Sequence, residues 1–419
     1  MTTVLRFNKR WILLLTGTTV LLLTCIVFTL KSTSVLSAPP LPIRDLPSYW
    51  PTPLEQTVCQ PKIYVYKVPD TFQVPKEVQE GRCHESNYNS EIILHNQLTD
   101  PSSPFYKYYV TEKPDEADFY FIPFFGACYL YNCWAQHNWK WDERCDVDSI
   151  YVDPMMDMVI HDYPYWNQSG GKNHIMIHPM DQTFTYYKNN HRFQPAIFLK
   201  TVGDKREKWM HRHRYHRDIV IPSATRMIHH LHVNPLDYLT QDGHPKSGKR
   251  DIFVLFQGCC PDVKPEDEYS NGIRSLIFQY FAHYPDYEIG QVIADQEYLG
   301  KLSRAKYGLS PMGWTLDTTR IWEFMAFGVV PVVIADGIIE PFEFDVDWDS
   351  FIVRVRRDEV HRLDEILKGI DEKTYEYKRQ KLWEYGRRVG LEQDAWHFIV
   401  RDLCRMENIR APTNLGLGY

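Results

Sequence analysis

What the chain lacks narrows it first. There is no excess of positive charge: 47 Lys and Arg stand against 54 Asp and Glu, a formal net charge of −7, which argues against nucleic acid as the main partner. There is no Cys-x-x-Cys pair and no His-rich spacing, so no zinc signature is present. No segment repeats at a solenoid period and no long low-complexity tract occurs, which excludes array architectures. Only one N-glycosylation sequon is found, Asn167-Gln168-Ser169, and such triplets also arise by chance.

The 419 residues leave room for two domains of ordinary size. Aromatics are plentiful, with 12 Trp, 27 Tyr and 21 Phe, which suits a sugar-handling protein and a large core equally. Residues 11–30, WILLLTGTTVLLLTCIVFTL, carry no charged side chain and could span a hydrocarbon core as a helix. Arg6, Lys9 and Arg10 precede the run and only Lys31 follows closely, so a cytosolic N-terminus is expected. A signal peptide cut near Ser37 or Ala38 is the competing reading. The run is longer than a usual signal core, and Pro39 and Pro40 sit badly beside a cleavage site, so an uncleaved anchor is expected.

Of nine cysteines, Cys25 falls in this run and eight lie beyond it. An even set in an oxidising compartment implies disulfides, without specifying which pair. The expected layout is a cytosolic tail at 1–10, an anchor at 11–30 and an extended Pro- and Ser-rich stem at 31–60. A luminal body follows.

Within the body, short β-branched and aromatic runs alternate with helical patterns. Residues 62–68 (KIYVYKV), 117–123, 173–178 and 218–222 read as strands, and 90–98 and 104–110 as helices. A polar stretch at 228–251, with Asn234-Pro235 and an Asp-Gly-His-Pro turn, marks a domain joint. The alternation then restarts, with strands at 252–256, 287–289 and 307–310 and helices at 271–283 and 296–304. Two α/β domains with parallel sheets are expected, at 61–240 and 241–419, with ligands near the strand C-termini.

The densest segment is 310–336, SPMGWTLDTTRIWEFMAFGVVPVVIAD. Thr315 or Asp317 can cap a helix from about Thr318 to Phe327, Gly328 suits its end, and 329–335 reads as a core strand. Arg320 and Glu323, one turn apart, share a face. Arg320 and the helix start suit phosphate oxygens, Gly313 lets backbone approach a ligand, and Glu323 suits ribose hydroxyls. An ordinary strand–helix unit with a surface Arg–Glu pair would show the same residues.

Several segments together resemble the exostosin family of glycosyltransferases. They are Lys62-Ile63-Tyr64-Val65-Tyr66, YVTEKPDEADFYFIPFF at 109–125, RDIVIP at 217–222 and residues 310–342, in the family's order. The resemblance implies a GT-B architecture, two Rossmann-like domains facing across a cleft. It also implies inverting transfer from a UDP-sugar to a glycan or polysaccharide acceptor by a Golgi type II enzyme. No cofactor or metal is expected, and a homo- or hetero-oligomer with a related transferase is left open. Thr318 or Thr319 stands where the family has Ser, keeping a hydroxyl, while Met312 and Trp314 depart from the pattern.

Gly258, Ser310, Gly313, Thr318, Thr319, Arg320 and Glu323 are the expected donor-binding residues. Lys249 and Arg250 at the entry of the strand leading to Gly258, and Arg274 opening the next helix, are further sources of positive charge for the leaving diphosphate. His178 and Asp181, after the strand at 173–178, stand where the family often has a His-Asp pair and are candidate bases. A turn with Asp181 as a helix cap is the alternative. The basic stretch at 204–218 reads as a solvated face, and the Asp-x-Asp triplets at 146–148 and 345–347 are the metal-dependent alternative. A non-catalytic partner of a transferase, or an anchored carbohydrate-binding protein, would be the functional rivals.

Overall fold

A computed structural model describes residues 59–74, 83, 87–137, 145–181, 183–206, 213–259, 262, 269–391 and 394–410. The expected anchor and nearly all of the expected stem lie outside these residues. Among the described residues no helix is long and apolar enough to cross a membrane.

Two five-stranded sheets make up the fold, and every strand pairing in them is parallel. The first runs in chain order: β1 (Ile63–Val65), β2 (Phe119–Phe121), β3 (His174–His178), β4 (Ile197–Lys200) and β5 (Asp218–Val220). The second contains β6 (Ile252–Gln257), β7 (Tyr287–Gly290), β8 (Ala305–Pro311), β9 (Val330–Ile334) and β10 (Val353–Arg354), in the order β10-β9-β8-β6-β7. The strands read as continuous apolar runs because helices cover both faces of a parallel sheet. Thus every residue of β9 is buried.

The helices named below are α1 (Ser90–Thr99), α2 (Pro104–Tyr109), α3 (Gly126–Gln136), α4 (Asp153–His161), α5 (Tyr165–Ser169), α6 (Ile273–Phe281), α7 (Asp295–Arg304), α8 (Arg320–Ala326), α9 (Leu363–Lys368), α10 (Glu372–Glu384) and α11 (Ala395–Arg410). The strand expected at 307–310 is the core of β8, and the helix expected at 318–327 is the shorter α8. Gly328 at its end has φ +63°, a left-handed value that glycine adopts without strain. Strand β4 escaped the sequence reading, being four apolar-flanked residues with no turn signal on either side beyond Pro195.

The chain crosses between the lobes at several points. Lys205 N–H donates to Gly337 O at 2.7 Å, Ile339 N–H to Gly203 O at 2.9 Å, and the Trp322 indole N–H to Ser223 Oγ at 3.0 Å. Helix α11 returns to the first sheet: Trp396 Nε1 donates to Leu94 O at 3.1 Å, and Cys404 is disulfide-bonded to Cys59. Helix α11 therefore packs with the first lobe. Cys83 pairs with Cys128 and Cys133 with Cys145. Cys259 is also disulfide-bonded.

Part of the basic stretch is structural rather than a solvated face. Lys200 Nζ lies 3.2 Å from Asp218 Oδ2 with both side chains fully buried. Arg214 Nε donates to the same carboxylate at 2.8 Å, with its guanidinium 3.9 Å from the Phe198 ring centroid. A buried charge persists when it is paired in this way. Residues 207–212 of the stretch lie outside the described residues.

Candidate active site

At the carboxyl end of the second sheet, four of the expected residues meet. Gly258 follows β6, and a Cβ there would stand 3.0 Å from Arg320 Nη2. A Cβ on Gly313 would stand 3.4 Å from Arg274 Nη2. The absence of side chains at these two positions is what lets the guanidinium groups in. Arg320 donates to Gln257 O at 3.2 Å and lies 4.9 Å from the Phe256 ring. Arg274 lies 4.9 Å from the Tyr269 ring, donates to its hydroxyl, and keeps a buried Nε with no hydrogen-bond partner.

Among the described residues neither arginine forms an ion pair. Burial first, and the Arg320 charge second, push the Arg274 guanidinium down to about 10. Two like charges held together in a poorly solvated place, with the buried Glu323 carboxyl nearby but no carboxylate bonded to either among the described residues, form a site for an anion.

Other expected residues ring this pair. The hydroxyls of Ser310 and Thr318 hydrogen-bond each other, and Thr319 precedes the first residue of α8. Helix α8 has only seven residues, so the arginines rather than the helix end supply most of the positive charge. Glu323 is buried and already engaged: Tyr298 O–H donates to Oε2 at 2.9 Å and Met227 N–H to Oε1 at 3.5 Å. Burial raises its carboxyl pKa, opposed by Tyr298 and Arg320. Glu323 therefore joins α7, α8 and the loop after β5, and its substitution would disturb the fold as well as a ligand. Trp314, 64 % exposed, stands edge-on to Tyr269 with ring centroids 5.2 Å apart.

Lys249 and Arg250 are not part of this group. They precede β6 whereas Gly258 follows it, so a six-residue strand of about 20 Å separates them. Arg250 is consumed by backbone: it donates to Ser303 O, Ala305 O, Gly243 O and Phe327 O at 3.3, 2.7, 3.0 and 2.8 Å. A guanidinium whose two terminal nitrogens satisfy four carbonyls holds loops together, and only its buried Nε is left without a partner.

In the first lobe, His178 ends β3 and is 1 % exposed. Its ring lies between those of Phe193 at 5.4 Å, Phe198 at 4.5 Å and Phe124 at 5.3 Å, and neither nitrogen has a hydrogen-bond partner. Burial, then the Arg214 charge, pushes it down to about 3, so it is neutral. An imidazole enclosed by rings packs the sheet and meets no substrate.

Asp181, three residues on, is half-buried. Burial raises its pKa and a hydrogen bond from Tyr88 opposes the rise. The sequence reading missed Tyr269, whose hydroxyl accepts from Arg274, and Ser223, which accepts the Trp322 indole N–H at 3.0 Å.

Neither Asp-x-Asp triplet belongs to the arginine site. Asp146 accepts from Ser149, and Asp345 pairs with Arg401 and Arg405. Two cavities of about 470 and 570 Å³ likewise lie elsewhere. Asp336 and Arg356 line both, and neither is lined by Arg274 or Arg320. The chemistry of the unpaired arginines, not cavity size, locates the site.

Comparison with known proteins adds a family model, the Exostosin GT47 domain, that matches residues 59–370. The chain is 27 % identical to the probable glucuronosyltransferase GUT1 of Oryza sativa subsp. japonica, covering 82 % of this chain and 81 % of that one. It is 26 % identical to the probable beta-1,4-xylosyltransferase IRX10 of Arabidopsis thaliana, covering 82 % of each. Among solved structures it overlaps HepE of Anabaena in complex with UDP and glucose at TM-score 0.34 and 10 % identity, over 84 % of this chain and 100 % of that one. A putative UDP-N-acetylglucosamine 2-epimerase from Listeria monocytogenes overlaps at TM-score 0.32 and 7 % identity, over 84 % and 97 %. Overlaps this loose transfer nothing to the present chain.

Proposed function

Because the chain belongs to the Exostosin GT47 domain family and is a glycosyltransferase, we propose that it moves a sugar from a UDP-sugar to a polysaccharide or glycan acceptor. The transfer inverts the anomeric centre and needs no metal. The two sheets act as the halves of a GT-B architecture, and the enzyme works from a single-pass type II anchor at 11–30 in the Golgi membrane. The names of the rice and Arabidopsis relatives favour a glucuronosyl or xylosyl donor.

One observation carries this reading: the Arg274–Arg320 pair, with no carboxylate ion pair among the described residues. Sugar transfer expels a nucleoside diphosphate, and its charge must be met where it develops. The two guanidinium groups meet it without a metal. Gly258 and Gly313 leave the room, and the Ser310 and Thr318 hydroxyls can turn toward phosphate oxygens. The acceptor enters from the first-lobe side, where Asp181 stands.

The test is a screen of UDP-sugars for hydrolysis and transfer by the protein, run with and without chelator. Transfer of one sugar that survives chelation is expected. UDP binding without turnover of any donor would point to a non-catalytic partner subunit. No UDP binding at all would leave an anchored carbohydrate-binding protein.

A further inference from the structure

The cavities of about 470 and 570 Å³ adjoin, because Asp336 and Arg356 line both. Asp336 follows β9 and Arg356 follows β10, so the trough they share opens at the carboxyl edge of the second sheet. That edge also carries the arginine site, and it is where ligands of parallel sheets sit. Each volume falls within the roughly 300–1,000 Å³ of ordinary ligand sites.

Hydrogen bonds tie the trough to the loops that hold the two arginines. Arg357, which lines the first cavity, donates from Nε to Asn271 O at 3.0 Å, three residues before Arg274. Met312 N–H, one residue before Gly313, donates to Ile334 O at 3.1 Å, two residues before Asp336. Lys205, from the first lobe, lines the second cavity, so the trough reaches the joint of the lobes.

The lining suits a neutral polyhydroxy ligand rather than an anion. Three of its four Lys and Arg side chains are ion-paired: Lys205 with Glu343 at 3.3 Å, Arg354 with Asp349 at 2.7 Å and Arg356 with Asp358 at 3.1 Å. The fourth is Arg357, bonded to Asn271 O. Unlike Arg274 and Arg320, these cations carry their counter-charges with them. Asp349, Arg356 and Asp358 are nonetheless exposed, and their spare lone pairs and N–H groups can meet hydroxyls, which both donate and accept. An exposed aromatic ring lines each cavity, Tyr280 of α6 in the first and Phe344 in the second, the latter 68 % exposed. Such rings offer a flat apolar face to the C–H face of a sugar.

We propose that this trough binds a run of neutral sugar units of the acceptor chain, away from the unit that reacts. This deepens the reading above and rests on it for the choice of ligand. The trough touches none of the reacting atoms; it selects long acceptors over short ones.

Calorimetry on the full chain, without UDP, tests the assignment. The probes are unbranched neutral oligosaccharides of xylose, glucose or galactose with two and six units, and a six-unit oligogalacturonate. One neutral hexamer should bind at least about tenfold more tightly than its dimer, the gain from roughly one stacked ring and its hydrogen bonds. The charged hexamer should bind more weakly than that neutral one. Tyr280→Ala and Phe344→Ala should each weaken the neutral hexamer roughly 3- to 10-fold and leave dimer and UDP affinity unchanged. In transfer assays with a six-unit acceptor, both variants should raise KM at constant kcat, as loss of uniform binding requires.

Equal affinity for two and six units would overturn the proposal. So would preference for the charged hexamer, a hexamer affinity unmoved in both variants, or no binding of any neutral chain. A wild type that binds the neutral hexamer as expected, yet neither binds UDP nor transfers a sugar, would keep the trough and retire the donor reading.

Discussion

The two lobes share one plan, a five-stranded parallel sheet, yet they treat buried charge in opposite ways. In the first lobe the charges are closed in on one another: Lys200 and Arg214 on Asp218, while His178 is neutral among aromatic rings. In the second lobe Arg274 and Arg320 are brought together with no carboxylate bonded to either among the described residues. Paired charges hold a fold; an uncompensated pair costs stability and is retained where a ligand completes it. Arg250 sharpens the point, since it lies in the same lobe as Arg320 and both its terminal nitrogens are taken up by carbonyls.

The sharpest break in this comparison comes from the arginines. Arg274→Ala or Arg320→Ala should weaken UDP binding roughly 10- to 200-fold each, the equivalent of about 1.5–3 kcal/mol for a charged hydrogen bond. Thermal unfolding should show no loss of stability, and a small gain is expected for Arg274→Ala because a buried repulsion is relieved. A clear drop in melting temperature for both would mean that they are structural.

Arg250→Met should do the reverse. Four carbonyls lose their donor, costing about 3 kcal/mol or more in chemical denaturation. At temperatures where the variant remains folded, its UDP affinity should match the wild type.

The smallest effect is on the pH dependence of stability. Burial lifts Asp317, Glu340 and Asp402 to about 7. Between the ordinary carboxylate range and pH 7 the folded chain thus holds protons that the unfolded chain has released, and stability falls as pH rises through 7. His174, His178 and His213 in the first lobe are pushed to about 3, 3 and 4 by burial. Below pH 6.5 the unfolded chain gains protons there that the folded chain refuses, and stability falls as pH drops. Below about pH 6 the three carboxyls and the three imidazoles oppose each other, so melting temperatures scanned from pH 5 to 9 should be nearly level up to about 6, fall through about 7 and level off above it. His178→Phe removes one opposing imidazole, so its melting temperature should already fall as pH rises from 5; a rise through pH 7 would show that these groups do not set the profile.

Much of the fold was legible locally. Residues 252–256, 307–310 and 329–335 are apolar runs bounded by turn chemistry, and each became a strand of the second sheet. Gly328 marked a helix end and took a left-handed backbone. Strand β4 was hidden because three apolar residues and a lysine do not distinguish strand from buried helix. The candidate site was half legible. Arg320, Arg274, Gly258 and Gly313 were singled out and meet, yet Arg250 and His178 bore the same marks and do not join them.

The sequence by itself determined which residues prefer strand, helix or turn, because those preferences act over a few neighbouring positions. It also carried, in the order of its motifs, membership of the exostosin family. Which charges would be spent on the protein's own carbonyls and carboxylates was settled only in three dimensions. Whether a guanidinium is free for a phosphate depends on what distant loops bring to within about 3 Å of it, and no spacing along the chain records that distance.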